Sequence, residues 1–317
     1  FRCLIADGKR GICGVRENRG GILYSLVYAK SIAEQVDPIE KKPLFHFLPG
    51  SLSFSVATMG CNFRCRHCQN YTISQLPRED GRILGTELMP DEIVERALAA
   101  DCRSISYTYT EPTIFFEYAY DTAVIAHRKG LKNVFVTNGY ISEEALKFIH
   151  PYLDAANIDL KAFTDSFYRE VVGGAKLEEV LASIRLYKKL GIWVELTTLI
   201  IPGLNDSDEE LTSLARFIVD EVGCGTPWHV SRFYPTYLMT DRPGTPLATV
   251  RRARQIGIAA GLRYVYEGNI PGEAGENTNC PQCHARLISR CGFSIEENTL
   301  RRGACPSCGF ILDGVWE

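Results

Sequence analysis

The stretch MGCNFRCRHCQN, residues 59–70, holds three cysteines on one short segment. Cys61, Cys65 and Cys68 are separated by three residues and then by two. A structural zinc site normally has four ligands, and no further cysteine lies within useful distance of Cys68 in the sequence; the adjacent His67 is expected to point the other way if Cys68 is a ligand. Three thiolates on one loop suit a 4Fe–4S cluster whose fourth iron stays open for a substrate. A zinc knuckle and a group of buried thiols are the alternatives.

Composition and charge exclude several classes of protein. The chain has 317 residues, more than a usual domain, although a barrel can use about 250 residues as one unit. Hydrophobic residues make up 45% and charged residues 23%, as in ordinary globular enzymes. A net charge of -3 gives no general attraction to nucleic acid or anionic lipid. With no apolar run long enough for a membrane span or signal peptide, we expect a cytoplasmic protein without a membrane or nucleic-acid partner.

From about residue 51 onward, short β-branched or aromatic runs alternate with amphipathic helical stretches. Such alternation implies parallel strands joined by helical crossovers, so the chain is predicted to be of the α/β class, as a barrel or an open sheet. The predicted strands lie within residues 51–60, 104–112, 133–140, 155–163, 193–203, 228–235 and 263–269.

Polar side chains follow most of these predicted strands. In parallel α/β folds, chemistry gathers at the carboxyl ends of the strands, so these side chains are expected on one face. They are Cys61, Glu111, Asn138, Asp159, Lys161, Asn205, Asp206, Arg232 and Asn269.

The chain divides by composition into three parts. Residues 1–50 are predicted to be an N-terminal extension, residues 51–270 the α/β barrel, and residues 271–317 a separate small module. This last part contains CPQC and CPSC, 21 residues apart, with a predicted β-hairpin between them. Two such CxxC pairs are typical of a tetrahedral metal site, most often zinc in a ribbon, and a second iron–sulfur cluster is the alternative. The predicted ligands are Cys280, Cys283, Cys305 and Cys308.

The cysteine spacing, with His67 before the last cysteine and a strand before the first, resembles the radical S-adenosylmethionine (SAM) superfamily. The resemblance implies a partial (β/α)6-type parallel barrel and a 4Fe–4S cluster whose open iron binds the methionine part of SAM. It also implies cleavage of SAM to methionine and a 5′-deoxyadenosyl radical, which abstracts hydrogen from a protein or small-molecule substrate. A low-potential electron donor of the flavodoxin or ferredoxin type is the expected partner.

Individual cofactor contacts follow from the same resemblance. The segment YTYTEP stands where relatives usually have GGEP, which makes Glu111 a contact of the cofactor's amino group, although Tyr109 and Thr110 replace the glycines. A carboxylate at a helix start is the structural alternative for Glu111. His67 is also counted among the candidate contacts.

Three later strand ends supply the remaining candidates. Asn138 in VTNG, with Asp159 and Lys161 in DLKAF, resembles strand ends of glycyl-radical-activating enzymes, in which the lysine meets the cofactor carboxylate. A buried ion pair is the alternative for Asp159 and Lys161. His229 in WHVSRFYP is a candidate cofactor contact or an ordinary structural histidine, and it shares its strand face with Ser231.

Longer segments narrow the resemblance. TYTEP, PGLND, GKRGICGVRENRGG and the CPxC pairs of the tail look like the radical enzyme of the AmmeMemoRadiSam system, related to pyruvate formate-lyase activating enzymes. Cys3 and Cys13 resemble the second half of an N-terminal four-cysteine motif, which would be completed by cysteines preceding Phe1. Activation of a glycyl-radical enzyme is an alternative function. A non-catalytic metal-binding or docking protein is another, supported only by the tail arginines Arg286, Arg290, Arg301 and Arg302.

Overall fold

The computed structural model describes residues 2–270 and 274–317. The strands in this part of the chain are β1 (Arg16–Arg19), β2 (Ile22–Ser25), β3 (Lys30–Ser31), β4 (Ala33–Pro38), β5 (Leu52–Ala57), β6 (Thr86–Glu87), β7 (Ser104–Tyr107), β8 (Lys132–Thr137), β9 (Ala155–Asp159), β10 (Trp193–Ile200), β11 (Trp228–Arg232), β12 (Val265–Gly268), β13 (Thr278–Asn279), β14 (Arg286–Cys291) and β15 (Ser294–Asn298).

Helices connect the main strands. They are α1 (Tyr71–Ser74), α2 (Leu76–Glu79), α3 (Pro90–Ala99), α4 (Phe116–Arg128), α5 (Glu143–Ile149), α6 (Asp165–Glu170), α7 (Leu177–Lys189), α8 (Asp208–Phe217) and α9 (Leu247–Ala259). A π-helical turn, Ile218–Gly223, continues α8, and 3-10 turns occur at Ile39–Lys41, Pro112–Phe115, His150–Tyr152 and Ala274–Glu276.

One sheet of eight strands carries the site described below. Its order is β12-β11-β10-β9-β8-β7-β5-β4. The strands from β5 to β12 in this sheet run parallel, and each is joined to the next through a helix, which gives six β–α units and a closing strand. All seven predicted runs therefore form strands, and the α/β class with a partial parallel barrel is confirmed. The sequence did not predict the antiparallel edge strand β4, which comes from the N-terminal extension.

Local sequence explains these elements. All four residues of β7 are buried, as expected for a parallel strand covered on both faces. Helix α8 begins where the Ser207 side chain accepts a hydrogen bond from the Glu210 amide at 3.2 Å. Acidic residues fill its first turn, and Leu211 and Leu214 bury one face.

The segment at residues 39–48 closes one end of the barrel. The amides of Phe45 and His46 donate hydrogen bonds of 3.0 and 2.8 Å to the fully buried Glu195 carboxylate on β10. The Asn157 side chain on β9 donates to the Pro43 carbonyl at 2.8 Å. Because Glu195 lies in the first half of β10 and Asn157 at the middle of β9, this segment fills the barrel from the end opposite the strand carboxyl ends.

The tail packs against this closing segment. Strands β14 and β15 form the predicted hairpin, and β13 adds a third antiparallel strand. Arg290 on β14 is buried and donates to the Phe45 carbonyl at 2.9 Å and to the Glu276 carbonyl at 3.0 Å. The division of the chain into three parts stays a prediction, and the proposed start of the tail at residue 271 lies outside the described residues.

Because His46 is buried at this junction, we expect the folded protein to lose stability at acidic pH. Its Nδ1 lies 2.6 Å from the Asp313 carbonyl and its Nε2 2.6 Å from the Tyr266 hydroxyl. A carbonyl only accepts, so Nδ1 carries the proton and neutral Nε2 accepts from Tyr266. Burial, against the opposing field of Glu195, lowers the pKa of His46 to about 4. Because the folded pKa lies below the ordinary value near 6.5, acid favours the unfolded chain as pH falls through this window, at a total cost of about 3 kcal/mol.

Urea unfolding of the wild type and of His46→Gln, measured from about pH 7 down to about pH 4, checks this expectation. The wild type should lose more stability than His46→Gln over this range, and the exposed His127→Gln should behave like the wild type. Parallel stability curves for wild type and His46→Gln would contradict it.

Candidate functional site

A cavity of about 330 Å³ opens at the carboxyl ends of the parallel strands. All three cysteines of the loop at residues 61–68 line it, and side chains from several strand ends join them: Asn138, Asp159, Lys161 and Asn269. The predicted convergence therefore holds for these residues. Four other predicted strand-end residues do not line the cavity: Glu111, Asn205, Asp206 and Arg232.

Close backbone packing shapes the cysteine loop. Gly60 precedes it with φ 97°, and a Cβ there would lie 2.7 Å from Val15 Cγ1, so glycine suits both the turn and the contact. The amides of Arg64 and Arg66 donate to the carbonyls of Val172 and Val171 at 2.8 and 3.0 Å. These bonds hold the loop between β5 and the segment after α6.

The loop sulfurs lie in a setting that disfavours free thiolates. The Phe63 amide donates to Cys61 Sγ at 3.4 Å, and Ser74 Oγ lies 3.2 Å from Cys68 Sγ. Burial, reinforced by the charge of Glu111, raises the pKa of Cys61 well above its usual value. Burial also raises the pKa of Cys65 to about 12, although the positive charge of Lys161 opposes it. Thiolates at Cys61 and Cys65 are therefore disfavoured in the free protein, and a cationic metal centre would stabilise them.

The number of cysteine ligands distinguishes this loop from the tail. Within the described residues, only the four tail cysteines place a potential ligand set within 4.8 Å of one another. A single tetrahedral zinc with bonds of about 2.3 Å brings its sulfurs to about 3.8 Å apart. The loop instead supplies three thiols, and this donor set fits a cluster of several irons held by three protein thiolates.

Glu111 lies beneath the cavity wall, and both oxygens of its carboxylate accept hydrogen bonds from neighbouring residues. Oε1 accepts from the Thr113 amide, the Thr113 hydroxyl and the Thr137 hydroxyl at 3.0, 2.6 and 2.9 Å. Oε2 accepts from the Asn138 amide at 2.8 Å. Burial raises the pKa of Glu111 even though these bonds oppose it. Glu111 therefore joins the ends of β7 and β8 and places Asn138, while its predicted contact with the cofactor stays a prediction.

Lys161 brings positive charge to the cavity. Its Nζ lies 2.8 Å from Asp159 Oδ2, and its backbone carbonyl accepts from the Asn205 side chain at 2.7 Å. Burial opposes the charge, but the negative charge of Asp159 and its hydrogen bond hold the pKa of Lys161 well above its usual value. Asn205, which was predicted to lie at the strand ends, thus helps to fix the backbone of Lys161 through this hydrogen bond.

The two predicted histidines lie in different places. His67 lines the cavity, and its Nδ1 has no hydrogen-bond partner among the described residues. Burial and the field of Lys161 lower the pKa of His67 to about 3, so its ring is neutral. His229 lies apart from the cavity, with Nε2 2.7 Å from Glu195 Oε2. It shares a strand face with Ser231, which does line the cavity, but lies about 6.6 Å deeper along β11.

Sequence reasoning missed several lining residues, among them two groups with polar side chains. Lys41, Lys42 and Pro43 come from the extension, where a charged pair reads as an ordinary solvated face. Tyr109 and Thr110 also line the cavity. The unusual segment YTYTEP was the sequence signal that could have identified them. Tyr109 has φ 62°, a left-handed conformation that glycine adopts easily. Tyr109 therefore has a backbone conformation typical of glycine, the residue that it replaces in the GGEP segment.

The tail cysteines form a compact group. The Sγ atoms of Cys280 and Cys308 lie 3.6 Å apart, as do those of Cys283 and Cys305, close to the spacing in a tetrahedral thiolate site. This group could hold a metal ion. Four tail arginines were suggested above as support for docking. The suggestion is wrong for Arg290, because this residue is buried. Within the described ranges, no helix has the length and apolar character needed to cross a membrane.

Known proteins resemble the chain over this region and beyond. It is 50% identical to an uncharacterized protein of Methanocaldococcus jannaschii over 315 residues, covering 99% of this chain and 93% of the relative. It is 23% identical over 181 residues to a pyruvate formate-lyase-activating enzyme of Streptococcus mutans, covering 54% of this chain and 66% of the relative. The crystal structure of Streptococcus suis SuiB bound to S-adenosylmethionine shares the fold, with a TM-score of 0.54, 14% identity and coverage of 73% of this chain and 53% of SuiB.

A family model covers the cysteine loop and most of the parallel strands. It is that of the Radical SAM superfamily, and it matches residues 55–218, more than half of the chain. The matched part contains the three loop cysteines together with Asn138, Asp159 and Lys161. The chain therefore belongs to the Radical SAM superfamily, a family that implies a 4Fe–4S cluster and S-adenosylmethionine.

Proposed function

We propose that the protein is an enzyme that holds a 4Fe–4S cluster on Cys61, Cys65 and Cys68 and cleaves SAM reductively. When bound, the cluster and SAM supply methionine and a 5′-deoxyadenosyl radical that abstracts hydrogen from a protein or small-molecule substrate. The carrying observation is that three thiols of one loop and the Lys161 ammonium line one cavity. Three thiolates leave one iron for a ligand that is not a cysteine.

Residues around the cavity have distinct roles in this proposal. Lys161 offers a cation for the cofactor carboxylate, and Asp159 holds that ammonium at 2.8 Å. Asn138 lines the cavity where Glu111 places it. The apolar side chains of Phe63 and Leu199 also line the cavity and help to exclude water from a reactive radical.

An acidic electron-transfer protein of the flavodoxin or ferredoxin type is the proposed reductant. Arg64 and Arg66 lie on the cysteine loop, on either side of Cys65, and are exposed. Positive charge next to a buried redox centre attracts an acidic donor and orients it.

Activation of a glycyl-radical enzyme is the second candidate. The likeness to a pyruvate formate-lyase-activating enzyme favours it. Incubation with a glycyl-radical protein encoded near the gene, followed by electron paramagnetic resonance, would reveal a glycyl radical if this candidate is right. The narrower resemblance to the AmmeMemoRadiSam enzyme and the N-terminal motif around Cys3 and Cys13 stay predictions. Zinc is the proposed metal of the tail.

Anaerobic reconstitution tests the proposed function. After loading with iron and sulfide, the full-length chain should convert SAM to equal amounts of 5′-deoxyadenosine and methionine when dithionite is added. Protein treated without iron, or without dithionite, is the control and should give none. Fully loaded protein that produces no 5′-deoxyadenosine would show the proposal to be wrong.

A further inference from the structure

A polar group lies deep in the cavity, away from the cysteine loop. We call the side chains of Asp37, Lys41, Lys42, Ser55 and Tyr109 the floor cluster. Asp37 on β4 pairs in register with Ser53, the second residue of β5, whereas the cysteines follow the last residue of that strand. Asp37, to which the other four side chains donate hydrogen bonds, is therefore several residues deeper than the cysteine loop, and Lys41, Lys42 and Tyr109 line the same cavity.

Two cations in the floor cluster share one carboxylate. Lys41 Nζ lies 2.8 Å from Asp37 Oδ1, and Lys42 Nζ lies 2.7 Å from Asp37 Oδ2. The hydroxyls of Ser55 and Tyr109 also donate to Asp37 Oδ2. Burial opposes ionisation of Asp37, but its hydrogen bonds from Lys41, Lys42 and Tyr109 hold its pKa well below the usual range. The cluster thus carries one more positive than negative charge.

Lys42 is the buried cation of the cluster, whereas the Lys41 side chain is 40% exposed. Lys42 is 1% exposed, and its ammonium lies 4.7 Å from the centre of the Tyr109 ring. Burial lowers the pKa of Lys42 to about 8 against the opposing bond to Asp37, so the group still carries its proton at neutral pH. Among the described residues, Asp37 is its one hydrogen-bond acceptor, which leaves further N–H donors for a ligand.

A buried cation without a full counter-charge is costly, and such groups are concentrated at binding sites. We infer that Lys41 and Lys42 form a subsite for an oxyanion of the substrate, a carboxylate or a phosphate group, on the cavity floor. This inference rests on the proposed function, because it names the substrate class for the same cavity. The cofactor's own carboxylate has a separate cation at the cysteine end, since Lys161 lies there with Asp159.

Anion titrations of the reconstituted full-length chain test the subsite. The probes are acetate for a carboxylate, inorganic phosphate for a phosphate, and acetamide as a neutral match for acetate, all at constant ionic strength. The variants are Lys41→Met and Lys42→Met, and the control is Lys129→Met, which changes an exposed lysine after α4. Calorimetry should show acetate or phosphate binding to wild type and control, about tenfold weaker binding to the two floor variants, and no binding of acetamide.

Each outcome decides the matter. Equal anion binding by all four proteins, or no anion binding by the wild type, would overturn the subsite. If Lys42→Met does not fold, then Lys42→Arg should keep anion binding and the more exposed Lys41→Met should lose it. A parallel SAM titration in which the floor variants lose SAM affinity but keep anion binding would assign the lysines to the cofactor and overturn the inference. Because these titrations require no SAM cleavage, lysine-dependent anion binding without 5′-deoxyadenosine would overturn the proposed function alone.

Discussion

Replacing Cys61, Cys65 or Cys68 by alanine is expected to abolish formation of 5′-deoxyadenosine from SAM. Each cysteine lines the same cavity, and a cluster with one iron already open has no spare protein ligand. Loss of a residue that only supports a metal ligand costs about 10- to 100-fold in metal affinity or activity, so loss of a ligand should exceed about 100-fold. Iron and sulfide contents, together with 5′-deoxyadenosine measured by chromatography, check the result for each variant.

The matched control for these variants is Cys102→Ala. Cys102 is a buried thiol whose amide donates to the Ala97 carbonyl, and it does not line the cavity. This variant should bind iron and produce 5′-deoxyadenosine like the wild type. The cluster assignment would be refuted if all three loop variants kept the wild-type rate, or if Cys102→Ala lost activity to the same degree.

Loss of one tail cysteine is expected to unfold the tail and remove its metal. The four sulfurs lie within 4.8 Å of one another, and the small core around them includes Leu287 and Leu312. Structural zinc binding supplies about 10–16 kcal/mol in zinc-finger peptides, far more than so small a core can provide alone. Cys280→Ser and Cys305→Ser should therefore lower bound zinc from about one per chain to nearly none, as measured by metal analysis of the full-length protein before cluster loading.

Hydrogen exchange reports the structural part of this prediction. Amides of β14 and β15 should exchange much faster in the two variants than in the wild type. Cys291→Ala is the matched control, because Cys291 is an exposed cysteine of the same tail outside the four-sulfur group. Iron and sulfide in place of zinc, or equal metal loss in Cys291→Ala, would contradict the zinc assignment.

Patterns of neighbouring residues were enough to predict much of the fold and part of the candidate site. All seven predicted strands are present in the structure. They could be predicted because the alternation of apolar runs and amphipathic helical stretches is a pattern of residues close together in the sequence. The CxxxCxxC loop and the CPxC pairs are also local patterns; the three loop cysteines line one cavity, and the four tail sulfurs lie within 4.8 Å of one another. The edge strand β4 escaped prediction because its sequence, AEQVDP, is short, charged and partly exposed.

Depth within the barrel could not be read from strand parity. His229 and Ser231 face the same side of β11, yet only Ser231 lines the cavity, since His229 pairs with Glu195 near the closed end. Glu111 follows β7 and precedes a 3-10 turn, and four donors from residues 113, 137 and 138 occupy its carboxylate. Those donors come from a turn and from the neighbouring strand, so their arrangement depends on how the strands pack.

Short-range spacing alone was enough to identify three thiols on one loop, four in the tail, and a parallel α/β chain between them. Tertiary structure decided which other side chains share the cavity. Lys42 reaches it from the extension because β4 pairs with β5 and the segment after β4 enters the barrel, which no local spacing encodes. The physical reason is that ligand spacing depends on a few adjacent residues, whereas the charge balance of a cavity depends on residues far apart in the chain.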